Sequence, residues 1–264
     1  MKVAFSGKGG VGKTTVASAL CLRLAAKGVR VLAVDADSNP NLAGALGFEE
    51  EAAPIAGMKD LMRERTGADP SRPGIFKLNP RVEDIPDRFA LRRGSLSLVV
   101  MGAIERGGSG CACPENTFLR ELLSHLVLRE GEWVVLDMEA GVEHLGRATA
   151  RAVDAMAIVA EPTPRAVMTA QRAARLCADI GVRRIGAVGN KVRGPEDVAF
   201  LKERLAPLPL IGWIPFLDRV GEIERSGGQG FAEAVPVAEI ERIIEGLREL
   251  AASPAGAVGH AGPG

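Results

Sequence analysis

A chain that carries Gly7-Lys8-Gly9-Gly10-Val11-Gly12-Lys13-Thr14-Thr15 has few folds open to it. The stretch contains G-x-x-x-x-G-K-[ST], the phosphate-binding loop pattern, starting at Gly7. The apolar run Val3-Ala4-Phe5 before it reads as a buried strand, and Thr14 to Lys27 reads as a helix. Between them the glycines let the backbone turn tightly, so that successive amides face one centre. The helix N-terminus adds partial positive charge there. Lys13 supplies a full charge to the β- and γ-phosphates of a nucleoside triphosphate, and Thr14 offers a hydroxyl to Mg2+. Gly9, Gly10, Val11, Gly12, Lys13, Thr14 and Thr15 are therefore expected at the nucleotide.

The rest of the chain supports an α/β class. Strand-like runs recur at Val29–Asp35, Leu96–Met101, Trp133–Asp137, Ala155–Ala160, Arg184–Asn190 and Leu208–Ile214. Helix-like periodicity covers Glu115–Arg129, Pro164–Ile180, Pro195–Leu205 and Val237–Leu250. Alternating strands and helices imply a mostly parallel, twisted sheet with helices on both faces, the P-loop NTPase fold. Ligands then sit at the carboxyl ends of the strands. Residues 1–252 read as one domain, with 49–93 as a polar, proline-bearing insertion over the active-site face. Residues 253–264 are rich in Gly, Ala and Pro and read as a disordered tail.

Composition narrows the partners. The 264 residues carry 33 basic and 33 acidic side chains, so nothing favours nucleic acid as an electrostatic partner. No apolar run approaches the ~20 residues that span a bilayer, so no membrane role is expected. The first strand follows Met1 directly, which argues against a cleaved signal peptide. A cytoplasmic location follows as an expectation. There the four cysteines read as metal ligands, catalytic thiols or core residues before disulfides. Tyrosine is absent and aromatics are 4%, which predicts an aliphatic core.

Lys8 has no local explanation. It sits between glycines on an already cationic loop. K-G-G-x-G-K-[ST] resembles the deviant phosphate loop of ATPases that form nucleotide-sandwich dimers. These include the nitrogenase iron protein, septum-site and partition ATPases and metal-centre maturation factors. The resemblance implies that Lys8 stabilises charge on the γ-phosphate of the partner subunit, as an arginine finger does.

Other strand ends add acids. Val34-Asp35-Ala36-Asp37-Ser38 puts two carboxylates on one side of a strand end. By the same resemblance Asp37 orients or deprotonates the attacking water, and Asp35 helps the Mg2+ shell. Trp133-Val134-Val135-Leu136-Asp137 is an apolar strand ending in an acid that looks like the Mg2+-side aspartate of phosphate-loop proteins. Gly141 follows it and could approach the γ-phosphate. Glu139 and His144 are candidates for transmitting nucleotide state. Gly189-Asn190-Lys191-Val192-Arg193 is similar to N-K-x-D, the guanine-reading motif, but ends in Arg193, a donor with no acceptor. That favours ATP. Asn190 and Lys191 are then expected beside adenine, with Pro215 and Phe216 as its apolar wall.

Gly110-Cys111-Ala112-Cys113-Pro114 is the second strong signal. Cys111 and Cys113 can chelate one metal ion, and a helix starting at Pro114 favours their thiolates. Two thiolates do not complete a tetrahedral site, whereas two chains related by a twofold axis can supply four. Sulfur ligands suit Zn2+, Cu(I) or Fe–S, and Ni2+ accepts a four-sulfur site. A redox pair or unligated thiols are the alternatives. Cys21 and Cys177 lie in apolar helical stretches and read as core.

Phe76-Lys77-Leu78-Asn79-Pro80, Val100-Met101-Gly102, Gly108 to Glu115, Leu122 to Leu128 and Asp137 to Arg147 together resemble the CooC family. Those ATPases mature nickel-containing carbon monoxide dehydrogenase. The resemblance implies a slow ATPase using ATP/ADP and Mg2+, a homodimer formed on ATP or metal binding, Ni2+ or Zn2+ on the cysteine pairs, and carbon monoxide dehydrogenase as client. The competing readings are a partition or septum-site ATPase and a nitrogenase-type Fe–S electron-transfer protein. A membrane-targeting member should end in a basic amphipathic helix. Here the polar face of the last helix carries Glu239, Glu241, Glu245 and Glu249. The nitrogenase type uses cysteines well apart in sequence.

Overall fold

A computed structural model describes residues 1–50, 52–69, 71, 74–102, 114–128, 132–138, 152–218 and 234–254. Elements follow in chain order: β1 (Lys2–Ser6), α1 (Lys13–Ala26), β2 (Val31–Ala36), α2 (Leu42–Ala45), a 3-10 turn (Ile55–Gly57), α3 (Lys59–Thr66), α4 (Ile85–Phe89), β3 (Leu91–Arg93) and β4 (Leu96–Val100). Then come α5 (Pro114–Leu128), β5 (Trp133–Met138), β6 (Ala155–Ala160), α6 (Pro164–Asp179), β7 (Ile185–Val192), α7 (Pro195–Leu205), β8 (Leu210–Pro215) and α8 (Val237–Ala252).

Among the described residues eight strands form one sheet in the order β3-β4-β2-β5-β1-β6-β7-β8. All neighbours run parallel except β3 and β4. Strand sequences are apolar on both faces because both faces are covered. Val3 and Phe5 enter one core layer with Val31, Ala33, Val135 and Ala157, beneath α1 and α8. Ala4 enters the other with Leu32, Val34, Leu136 and Ile158, beneath α3, α5, α6 and α7. This is the period-2 alternation of a strand, read by two separate cores. The core is chiefly aliphatic, with Phe5 and Phe118 fully buried in it.

The strand ends shift slightly from the sequence reading. β2 begins at Val31 and β7 continues to Val192. The stretch 49–93 holds the turn, α3, α4 and the edge strand β3, and it places Ile55, Met62, Val82 and Ile85 in the core. The turn, α3 and α4 each contribute only one or two buried residues and β3 none, which is why the periodicity of the stretch is weak. Arg65 ties it together with a two-pronged pair to Asp84, at 2.8 and 2.7 Å. α8 buries Ile240, Ile243, Ile244, Leu247 and Leu250. Among the described residues no helix is long and apolar enough to cross a membrane.

Candidate nucleotide site

The loop after β1 lies where the parallel strands end. Gly7 passes so close to β6 that a Cβ there would stand 2.5 Å from the Val159 carbonyl oxygen. Gly12 has φ +89, in the left-handed region, and starts α1 without a side-chain cap. The first turn of α1 holds no acidic residue. Its N-terminal amides are thus left for an anion. Lys13 is buried to 7% exposure at this end, a position where a lysine needs a negative partner.

The acidic strand ends stand side by side. Asp35 of β2 pairs in register with Asp137 of β5, and Asp137 with Phe5 of β1. The Thr14 hydroxyl donates to Asp137 Oδ2 at 2.6 Å. The other oxygen, Oδ1, is buried with no hydrogen-bond partner among the described residues. Burial pushes the Asp137 carboxyl from its ordinary 3.8 up to about 7, the Thr14 hydrogen bond opposing. A buried carboxylate with an orphan oxygen beside a threonine hydroxyl fits a hydrated cation. Thr14 and Asp137 are the residues that would hold Mg2+.

Asp35 is fully buried and engaged differently from Asp137. Its Oδ1 accepts from the Asp37 amide at 3.2 Å, and its Oδ2 from the Asn41 and Leu42 amides at 3.0 and 2.9 Å. Burial still pushes it up to about 6, those amides opposing. Its contacts shape the turn that carries Asp37. Asp37 Oδ1 accepts from the Asn39 amide at 3.0 Å.

A cleft of about 730 Å³ joins these parts. Gly9, Gly10, Gly12, Lys13, Thr14 and Thr15 form its floor, Asp37, Asn39 and Asn41 one wall, and Asn190, Lys191, Pro215, Phe216, Leu217 and Asp218 the far end. At that end the Arg193 guanidinium lies 4.5 Å from the centre of the Phe216 ring. Asn190 is buried and donates from Nδ2 to the Val11 carbonyl at 2.6 Å. The residue expected beside adenine is therefore already bonded to the loop. Lys8 is half-buried and does not line the cleft.

The structure thus gathers Gly9, Gly10, Gly12, Lys13, Thr14, Thr15, Asp37, Asn190, Lys191, Pro215 and Phe216 around one cavity. Asp137 and Asp35 do not line it; Asp137 is bonded to its lining residue Thr14, and Asp35 to the amides of its lining residues Asp37 and Asn41. Asn39, Asn41, Leu217 and Asp218 were not foreseen, nor was Glu161, which bonds Lys191. Their position just beyond parallel strand ends was the available signal. Glu139, Gly141, His144, Cys111 and Cys113 lie outside the described residues, as do 255–264. Among the described residues no cluster of three or more His, Cys, Asp or Glu could hold a metal ion. Cys21 and Cys177 are buried core thiols.

Residues 2–229 match the family model of the CobQ/CobB/MinD/ParA nucleotide binding domain. An uncharacterized ATP-binding protein of Methanocaldococcus jannaschii is 44% identical, covering 95% of this chain and 98% of its own. The carbon monoxide dehydrogenase accessory protein CooC of Rhodospirillum rubrum is 43% identical, covering 86% of this chain and 88% of its own. Among solved structures, a ParA family ATPase of Chlorobium tepidum superposes with a TM-score of 0.64 at 18% identity, covering 96% of this chain and 97% of that one. MinD of Aquifex aeolicus, in complex with MinC, gives 0.62 at 20%, covering 96% of each chain, and both likenesses speak for the fold. With its phosphate loop, its paired strand-end acids and this similarity along most of its length, the chain belongs to the CooC family of ATPases within the CobQ/CobB/MinD/ParA nucleotide-binding group.

Proposed function

We propose that this ATPase serves the maturation of nickel-containing carbon monoxide dehydrogenase. The similarity to CooC over 86% of the chain carries the reading. The Cys111-Ala112-Cys113 pair in the sequence supports a metal cargo. In this reading ATP draws two copies together and each Lys8 reaches the partner's γ-phosphate. Cys111 and Cys113 of the two chains then pool four thiolates around one Ni2+ or Zn2+, which is cargo, not a resident cofactor. Asp37, on the cleft wall, orients the attacking water and accepts its proton as the β–γ bond breaks. Lys13 steadies the γ-phosphate, and Asp35 acts through the turn it holds. Bound Mg2+ would neutralise phosphate charge. Phe216 and Pro215 give the base an apolar wall, which suits adenine. The client and the cytoplasmic setting belong to the same proposal.

Asp37→Ala is expected to slow hydrolysis by about a hundredfold or more while ATP still binds. Gel filtration of that variant with Mg2+ and ATP should show a dimer. A chain that stays monomeric with nucleotide and metal both present would sink the closure model. Metal analysis should find about one Ni2+ or Zn2+ per dimer, and none in Cys111→Ala/Cys113→Ala. Unchanged stoichiometry in the double variant would refute a shared thiolate site.

A further inference from the structure

Two consecutive carbonyls of the phosphate loop are held from outside by side chains of one strand end. Lys191 Nζ donates to the Gly10 carbonyl at 3.0 Å, and Asn190 Nδ2 to the Val11 carbonyl at 2.6 Å. Lys191 Nζ also donates to Glu161 Oε1 at 2.5 Å. Glu161 directly follows β6, and its side chain is 25% exposed. The backbone is distorted to make this possible. Lys191 has φ +59, and among the described residues it is the only non-glycine in the left-handed region. The β7–β8 register also breaks between Gly189 and Val192. A lysine in that conformation is unfavourable and persists only where its surroundings hold it.

We propose that Lys191, Asn190 and Glu161 are positioning residues that hold the phosphate loop in its anion-binding shape. In a trans peptide the C=O and N–H point opposite ways. Anchoring the Val11 carbonyl on Asn190 therefore turns the Gly12 amide away from Asn190, toward the anion. Anchoring the Gly10 carbonyl on Lys191 keeps an oxygen from turning inward, where it would repel phosphate. Glu161 neutralises Lys191 and keeps its ammonium on the carbonyl, so that it does not reach for the ligand. The base end and the phosphate end of the cleft thus share one support. The inference rests on the nucleotide loop alone and is independent of the metal proposal.

The probe is inorganic triphosphate, which has no base, competed against a fluorescent ATP analogue on the full chain. Glu161→Ala removes a negative charge beside the phosphate site, so electrostatics alone predicts tighter binding. The brace predicts the opposite sign: ATP and triphosphate both weaken by about fivefold, with Glu161→Gln between it and the parent. Lys191→Met should weaken both ligands, and the double variant Glu161→Ala/Lys191→Met should be no worse than Lys191→Met. Phe216→Ala should weaken ATP and leave triphosphate unchanged. Unchanged or tighter triphosphate binding in Glu161→Ala overturns the proposal, as does full additivity in the double variant. A loss confined to temperatures at which thermal melts show the variant partly unfolded, and absent at 4 °C, marks a stability effect and overturns it too.

Discussion

Asp137→Asn is expected to melt higher than the parent in the absence of ligand and to bind Mg2+–ATP about 10–100-fold more weakly. Burial dominates the environment of this carboxyl and pushes it up to about 7. Above that pH the empty protein must hold a buried charge, which among the described residues the Thr14 hydroxyl and the nearby Lys13 offset. The shift from 3.8 to about 7 corresponds to roughly 4 kcal/mol at most, which is several degrees of melting temperature for a chain of this size. The sign follows from linkage. A carboxyl whose folded value is raised contributes stability that is whole below about pH 4 and is lost as pH rises to about pH 7. Asp35, pushed up to about 6, acts in the same direction over a narrower window. The empty protein should therefore lose stability between about pH 4 and about pH 7, and Asp137→Asn should lose less. Mg2+ with ADP should flatten the dependence, because a cation at Thr14 and Asp137 favours the ionised form. Melting curves at stepped pH, with and without Mg2+–ADP, read all three effects. A variant that melts lower than the parent at pH 8 would refute the account.

Gly12→Ala is expected to lower ATP affinity by a hundredfold or more. Two independent obstacles meet at this residue. With φ +89 the backbone is in the left-handed region, where a Cβ costs about 1–2 kcal/mol. That Cβ would also stand 2.1 Å from Asn190 Nδ2, far inside contact distance. Asn190 is buried and bonded to Val11, so it has no cheap way to yield. The loop must deform, and its amides then no longer converge on the phosphates. Adding Asn190→Ala relieves the clash but leaves the backbone strain and frees the Val11 carbonyl from its anchor, so little recovery is expected. Calorimetric titration with ATP measures both variants. Affinity within threefold of the parent in Gly12→Ala would contradict the tight approach of β7 to the loop.

Some of this was legible in the residues. The glycine spacing, Lys13 and the flanking strand and helix pointed to a phosphate site because each step is local: a turn, a helix start, a charge. The apolar runs of β1, β2, β5 and β6 identified a two-sided sheet because continuous apolarity is what burial on both faces requires. The acidic face of α8 against its buried isoleucines was equally plain. The stretch 49–93 was less so, since Ile55, Met62, Val82 and Ile85 are scattered singly among polar residues.

What the sequence alone determined is therefore the class of ligand and the class of fold, both consequences of short-range pattern. The tertiary structure decided which groups share a task. Asp35 and Asp137 look alike as strand-end acids. Register sets them side by side, yet one meets three backbone amides and the other keeps an orphan oxygen beside Thr14. Asn190 and Lys191 read as base contacts, but the order of β1, β6 and β7 in the sheet brings them onto the loop carbonyls, with Glu161 behind them. Such pairings join residues far apart along the chain. Only the packing of parallel strands, with their carboxyl ends gathered on one edge, can bring them together.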